Sequence, residues 1–271
     1  MQTSIDGCRA KIARAKELIE VLDSELSTIL SDGRYEIVSE HEFQQRRFVF
    51  RLHGEQFPLR ISVLAGEIIH HLRSTLDHLI WAGAHKVGLS SDKLRRITFP
   101  ICATPAKFKE AVKNGALSGV SDTLKNFIES LQPYRTPDPS TSIVQILHDL
   151  DIIEKHRLLV VVTHAARMGQ HLQILGELTS DVAIVPSVPP DPVPFFRAIE
   201  NGVEVHWVNY ETTTQPIWSI KNDFSIYVAF QNIGLHERLE AIPILWQLYS
   251  LIENIFSIIR VSSTSEKLPS S

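Results

Sequence analysis

Gly66-Glu67-Ile68-Ile69-His70-His71-Leu72-Arg73-Ser74-Thr75-Leu76-Asp77-His78-Leu79-Ile80-Trp81 reads as one helix with two unlike faces. At about 100° per residue, Leu64, Ile68, Ile69, Leu72, Leu76, Leu79 and Ile80 form a broad apolar stripe that asks for a core. The other side carries Glu67, His70, His71, Arg73, Ser74, Asp77, His78 and Trp81. A solvated helix face is ordinarily built from Lys, Glu, Gln and Arg. Three histidines, a tryptophan and no lysine suit a site or a buried polar seam better. The spacing predicts a helix from Pro58 to about Val87.

Upstream, Ile5, Cys8, Ile12, Ala15, Ile19, Leu22, Leu26 and Ile29 recur at alternating steps of three and four, with Lys, Arg and Glu between them. That a/d pattern predicts a long helix over 4–30, either packed in its own bundle or paired as a dimeric coiled coil. Asp32-Gly33 ends it, and Tyr35–Ser39 and Arg47–Leu52 then alternate like two strands of a hairpin with residues 41–45 as its loop. Arg46, Arg47 and Arg51 on that hairpin read as a solvated strand face. Residues 88–105 look irregular. Helices follow at 105–114, with Pro105 in the first turn, at 121–131, and from about Ile143 to Leu158 behind Ser140-Thr141-Ser142. Beyond Arg167, Leu172–Leu178, Val203–Val208 and Phe224–Phe230 read as strands, with the proline-rich loop 186–194 between the first two. The last helix, 236–260, is apolar nearly all round, which argues for burial among helices or in a subunit interface. The fold class is therefore α+β. A helical bundle over 1–168, with a β-hairpin at 35–52, is followed by a small antiparallel sheet region at 169–232, which the hairpin is able to join. A helix at 233–260 returns to the bundle, and a polar, disordered tail spans 261–271.

Composition bounds the function. The 271 residues are 44 % hydrophobic and 21 % charged, as in an ordinary globular protein. A net charge of −4 supplies no global field for nucleic acid, so such a partner would need a local patch. Cys8 and Cys102 are too few for a disulfide framework or a thiolate zinc site. No basic segment followed by an apolar run opens the chain, and the longest apolar run, 158–162, is too short to span a bilayer. The expectation is a cytoplasmic protein with reduced thiols and no membrane partner.

The second suggestive stretch is His148-Asp149-Leu150-Asp151-Ile152-Ile153-Glu154-Lys155-His156-Arg157. Asp151 and Lys155 are placed for a surface i,i+4 pair. Glu154 and Arg157 fall towards the apolar side, where charges are costly unless paired, and Arg73 and Asp77 are the expected complements. Arg73-Ser74-Thr75-Leu76-Asp77-His78 resembles the Arg-x4–6-His motif of the HEPN superfamily, all-helical domains that include metal-independent endoribonucleases of toxin and phage-defence systems. The same segments resemble a set of uncharacterised bacterial proteins, which brings no mechanism. The resemblance implies an RNA-directed protein, possible as an endoribonuclease without cofactor or metal, whose site joins two helices across a homodimer. It would make His78 the base or acid, Arg73 the phosphate ligand and Asp77 the group orienting either, with Glu67, His71, Glu154, His156 and Arg157 in support. A partner protein encoded nearby would fit the same systems. The motif departs from the family at Ser74, where an amide, acid or histidine is usual. Such chemistry is coherent, because an imidazole can deprotonate a ribose 2′-hydroxyl and a guanidinium can meet the developing charge. Two other readings stand beside it. Glu67, His71, Ser74 and His78 share one stripe and could hold a metal with His148 or Asp151. Alternatively, the polar cluster only braces the bundle of a non-catalytic binding protein.

Overall fold

In a computed structural model of the chain, the described residues are 2–55, 57–157, 162–176, 182–185, 202–212, 219–230 and 239–265; the side chains of His156 and Arg157 are not among those described. The architecture is α+β, with seven α-helices and two antiparallel sheets among the described residues. The chain divides into two compact units, one of residues 1–23, 60–160 and 232–271, the other of 24–59 and 161–231.

The first unit is helical. Helix α1 (Gln2–Ser31) enters it, and α2 (Leu59–Gly83), α3 (Ser91–Arg96), α4 (Pro105–Lys113), α5 (Asp122–Ser130), α6 (Ile143–Arg157) and α7 (Ala241–Ser265) complete it. The a/d residues Cys8, Ile12, Ala15, Ile19 and Leu22 are buried within the chain, so that seam is a bundle seam. The apolar stripe of α2 is buried along its whole length from Ile61 to Ile80, and Leu147, Leu150, Leu245, Leu248 and Ile252 are as deeply covered. Each such side chain contributes about 1.5–3 kcal/mol of transfer free energy. Thr104 and Ser121 cap α4 and α5 by accepting from the amides of Lys107 and Leu124. Helix α3 escaped sequence reading because all but one of its residues, Leu94, are polar or charged, so no period shows. The last helix starts at Ala241 rather than 236 and takes in 261–265 of the expected tail; the rest of that tail, 266–271, and the loop 186–194 lie outside the described residues. Its window Ala241–Arg260 has mean hydropathy 1.4, is 39 % buried, and by length and composition alone could cross a membrane.

The second unit is β. Strands β1 (Glu36–Glu42), β2 (Arg47–His53), β4 (Ala183–Val185) and β5 (Val203–Glu211) form one antiparallel sheet in the order β1-β2-β5-β4; β3 (Val162–Leu175) and β6 (Ser219–Phe230) form a two-stranded ribbon. The hairpin thus belongs with the sheet and not with the bundle, because β2 pairs with β5 in the register Phe48↔Val208 and Phe50↔His206. One face of alternating residues, Phe48, Phe50, Leu52, Val208 and Tyr210, packs with Ile220 of β6 to make the core of this unit. On the other face Arg47 and Arg51 are tied to Glu40, Glu42 and Glu204 at 2.6–3.0 Å, a cross-strand ladder of ion pairs.

Candidate functional site

Helix α2 supplies two different polar regions, and they do different things. The first is Arg73 and Asp77, one turn apart. Arg73 donates from Nη1 to Asp77 Oδ1 at 2.9 Å and from Nη2 to the carbonyl oxygen of Phe99 at 3.1 Å. The same Oδ1 accepts from Thr98 Oγ1 at 2.6 Å and from the Phe99 amide at 2.8 Å. Residues 97–102 are irregular, with Ile97, Phe99, Pro100 and Cys102 buried; the Thr98 amide donates to Ala116 O at 3.0 Å, and Phe99, Pro100 and Cys102 find side-chain partners for backbone groups. Arg73 and Asp77 serve Thr98 and Phe99. Gln132 accepts from the Cys102 amide at 2.9 Å and donates to Pro100 O at 2.9 Å. Asp77 pairs with Arg73, and both are committed to holding the segment at Thr98 and Phe99. His78 is exposed and has no hydrogen bond to Arg73 or Asp77 among the described residues. Within one chain, Arg73 and His78 do not converge.

The second region lies towards the N-terminus of α2. Arg14 of α1, Ser62, Val63, Gly66, Glu67, His70 and His71 of α2, and Glu154 of α6 line an open pocket of about 660 Å³. Its depth comes from small residues. At Gly66 a Cβ would stand 3.1 Å from Glu154 Cγ, so the glycine lets the Glu154 side chain lie against the helix backbone. Three of the expected supporting residues, Glu67, His71 and Glu154, therefore share one pocket. The expected pairing of Glu154 with Arg73 is corrected: its level on α2 is Gly66, seven residues away, or about 10 Å along the axis. His148 instead lies in the field of Arg73. Residue numbers thus rise along α2 as they fall along α6, making the two helices antiparallel and setting Asp151 between these levels. The side chains of His156 and Arg157 fall outside those described.

Electrostatics separate the two regions further. Glu67 and Glu154 have no ion-pair partner among the described residues, whereas Arg14, the lining cation, is 3.1 Å from Glu17. The Nδ1 atoms of His71 and His148 and Oδ1 of Asp151 are buried with no hydrogen-bond partner among the described residues. Asp151 does bond Lys155 at 2.7 Å, but at 4 % exposure it is a buried acid rather than half of the expected surface pair. Burial, then the nearby charges of Lys11 and His70, hold His71 below the ordinary histidine value, with Glu67 opposing. Burial, then Arg73, does the same for His148, with Asp149 and Asp151 opposing. Depressed histidines stay neutral in the fold while the unfolded chain takes up protons below about pH 6.5, so stability rises with pH between the depressed values and 6.5 and is unaffected above. Urea midpoints are expected to fall as pH drops from about 7 to about 5, and His148→Gln is expected to flatten that fall. An unchanged slope would remove His148 from the account.

Among the described residues no group of three His, Cys, Asp or Glu side chains is placed to hold a metal ion, so the stripe Glu67, His71, Ser74 and His78 does not close into a centre there. Ser74 is occupied instead by Lys11 Nζ of α1, which donates to its hydroxyl at 3.1 Å. Sequence reading missed Arg14, Ser62 and Val63, and placed His70 on the polar face of α2 without giving it a role. Gly66 carried a legible signal, since glycine inside a strong helix costs about 1 kcal/mol and marks a close approach. Fold and site together define a helical bundle with an internal brace and a separate acceptor-rich pocket. Set against known proteins, the chain matches no family model, no curated protein and no solved structure.

Proposed function

We propose that this chain is a non-catalytic binding protein that takes a small polar ligand in the pocket between α1, α2 and α6, while Arg73 and Asp77 brace the bundle. The observation that supports it is the division of labour on α2. Arg73 and Asp77 are engaged with the Thr98 hydroxyl and the Phe99 backbone, whereas the pocket gathers Glu67 and Glu154 without ion-pair partners among the described residues. A volume of about 660 Å³ lies within the ordinary range of small-molecule sites. The test is a thermal-shift screen across cationic, anionic and neutral metabolite classes. A ligand at about 100 times its Kd adds about 2.7 kcal/mol to stability. At least one class is expected to raise the melting temperature of the wild type but not of Glu154→Gln. No shift with any class would overturn the reading.

The RNA-cleaving alternative implied by the HEPN resemblance needs Arg73 to leave Asp77 and Phe99 and to meet a histidine of a second copy. A homodimer and a cytoplasmic location accompany these readings as proposals, the dimer supported by the partly covered apolar helix α7. Under the binding reading, RNA incubated with the protein in excess chelator is expected to stay intact. Cleavage that His78→Ala abolishes would reverse the order of the two, and because His78 is exposed that variant leaves the fold alone.

A further inference from the structure

We infer that the C-terminal end of α2, with α3 and the end of α4, forms a docking surface for an anionic lipid membrane. It lies at the opposite end of α2 from the pocket and does not depend on the pocket reading. The composition of the whole chain predicts no membrane partner and conceals this surface. Residues 86–113 hold seven of the 27 Lys and Arg but two of the 31 Asp and Glu, Asp92 and Glu110, a charge of +5 in a chain of −4. None of the seven has an ion-pair partner among the described residues. Cations in a last turn complement the helix dipole, but a six-residue helix has little dipole to complement, and α3 carries three. Backbone contacts gather the charges. The His85 amide donates to Gly119 O at 2.6 Å and Arg96 Nη1 to Asn114 O at 3.4 Å, so the three helix ends meet around the turn 115–119. Lys86, Lys93, Arg95, Arg96 and Lys113 thereby share one end of the helical unit, and all but Lys86 are exposed.

The second observation is apolar and independent of the charge. Lys86-Val87-Gly88-Leu89 is a tight turn, closed by the Leu89 amide on Lys86 O at 3.2 Å, with Gly88 at a φ of +79°. Polar residues, proline and glycine ordinarily fill such corners. Here the corner is Val87, 84 % exposed, the most exposed large hydrophobic among the described residues. A Cβ on Gly88 would meet nothing within 4 Å, so the tip stands clear of the fold. Trp81 is exposed beside it, with Lys86 Nζ over its ring at 5.2 Å. An aliphatic tip and a tryptophan ringed by unpaired cations fit a bilayer surface. The tip and ring enter the headgroup boundary while the cations meet lipid phosphates and carboxylates. A nucleic acid would use the same cations, but it gains from open aromatic faces on which bases stack. Trp81 has an ammonium over its ring, and Val87 offers a base no stacking face. The other 20 Lys and Arg and 29 Asp and Glu leave the rest of the chain at −9, which turns this end towards an anionic surface.

The experiment is co-sedimentation of the full chain with vesicles of phosphatidylcholine alone or with about 30 % phosphatidylserine, at about 0.05 and about 0.15 M salt. Binding is expected to the anionic vesicles alone and to weaken with salt. Lys93→Gln and Arg95→Gln are each expected to weaken it about fivefold. Val87→Ser, which leaves the charge unchanged, is expected to weaken it about fivefold, and Val87→Leu to tighten it about threefold. Lys16→Gln is the control. Lys11 of α1 bonds Ser74 and Arg14 reaches the pocket, so α1 runs antiparallel to α2 and carries the exposed Lys16 away from this end. That variant is expected to bind as wild type. The substituted side chains are exposed, so melting temperatures are expected to match the wild type and confirm the fold. Absence of binding to anionic vesicles would overturn the inference. So would binding that ignores both Val87 variants, or that falls as much in Lys16→Gln as in Lys93→Gln. A single-stranded oligonucleotide is run in parallel. Its binding through Lys93 and Arg95, with none to vesicles, would assign the surface to nucleic acid and overturn the membrane.

Discussion

Replacing Asp77 by alanine is expected to lower the stability of the helical unit by about 3 kcal/mol. One oxygen of this carboxylate accepts from Arg73 Nη1, Thr98 Oγ1 and the Phe99 amide, at 2.9, 2.6 and 2.8 Å. Alanine leaves a buried backbone donor unpaired and a guanidinium, only 12 % exposed, without its counter-charge. The carboxylate itself is 38 % exposed, so water replaces part of what is lost, which sets the effect nearer about 3 than the about 5 kcal/mol of a fully buried broken pair. Asp77→Asn keeps an acceptor and loses the charge, so it is expected to cost about half as much. Equilibrium urea unfolding measures both. A double-mutant cycle with Arg73→Met, which cannot reach Phe99 O, is expected to show strong coupling, because both side chains secure the same short backbone segment. A midpoint unchanged in Asp77→Ala would mean the residue is not a brace, and its presence on the polar side of α2 would need a functional explanation after all.

That brace also marks where sequence reading stops. Periodicity exposed the heptads of α1, the two faces of α2, and α4 to α6 to within a residue or two, since each carries a regular apolar stripe. It could not expose α3, which buries none of its side chains, or β4, which is three residues long. The hairpin was recognisable from its alternation, but its allegiance depended on pairing with a strand some 150 residues later. In the site, the helical projection correctly grouped Glu67 with His71 and set Arg73 beside Asp77. What it could not supply were partners without a period. The carbonyl of Phe99 belongs to an irregular segment. The offset between α2 and α6, which brings Glu154 to Gly66 rather than Arg73, is set by packing of the whole bundle. Arg14 joins from a third helix whose rotation about its axis follows from its own apolar seam.

Gly119→Ala is expected to be the most damaging single methyl addition in the helical unit, costing about 3–5 kcal/mol. Two penalties combine at this position. Its φ of +74° lies in the left-handed region, where an alanine costs about 1 kcal/mol or more. A Cβ there would also stand 2.2 Å from the carbonyl oxygen of His85, and that atom is backbone, with no rotamer to turn away. The approach is close because the His85 amide donates to Gly119 O at 2.6 Å, which joins the end of α2 to the turn before α5. Relief of the clash must break that bond or shift α2, whose Leu79 and Ile80 are fully buried. Gly88 separates the two penalties: its φ is +79°, yet nothing stands within 4 Å of the added carbon. Gly88→Ala is therefore expected to cost only about 1 kcal/mol. Urea midpoints of the two variants, measured side by side, should differ by at least about 2 kcal/mol. Equal losses would show that backbone strain alone acts at Gly119, and that the contact with His85 does not hold the end of α2 in place.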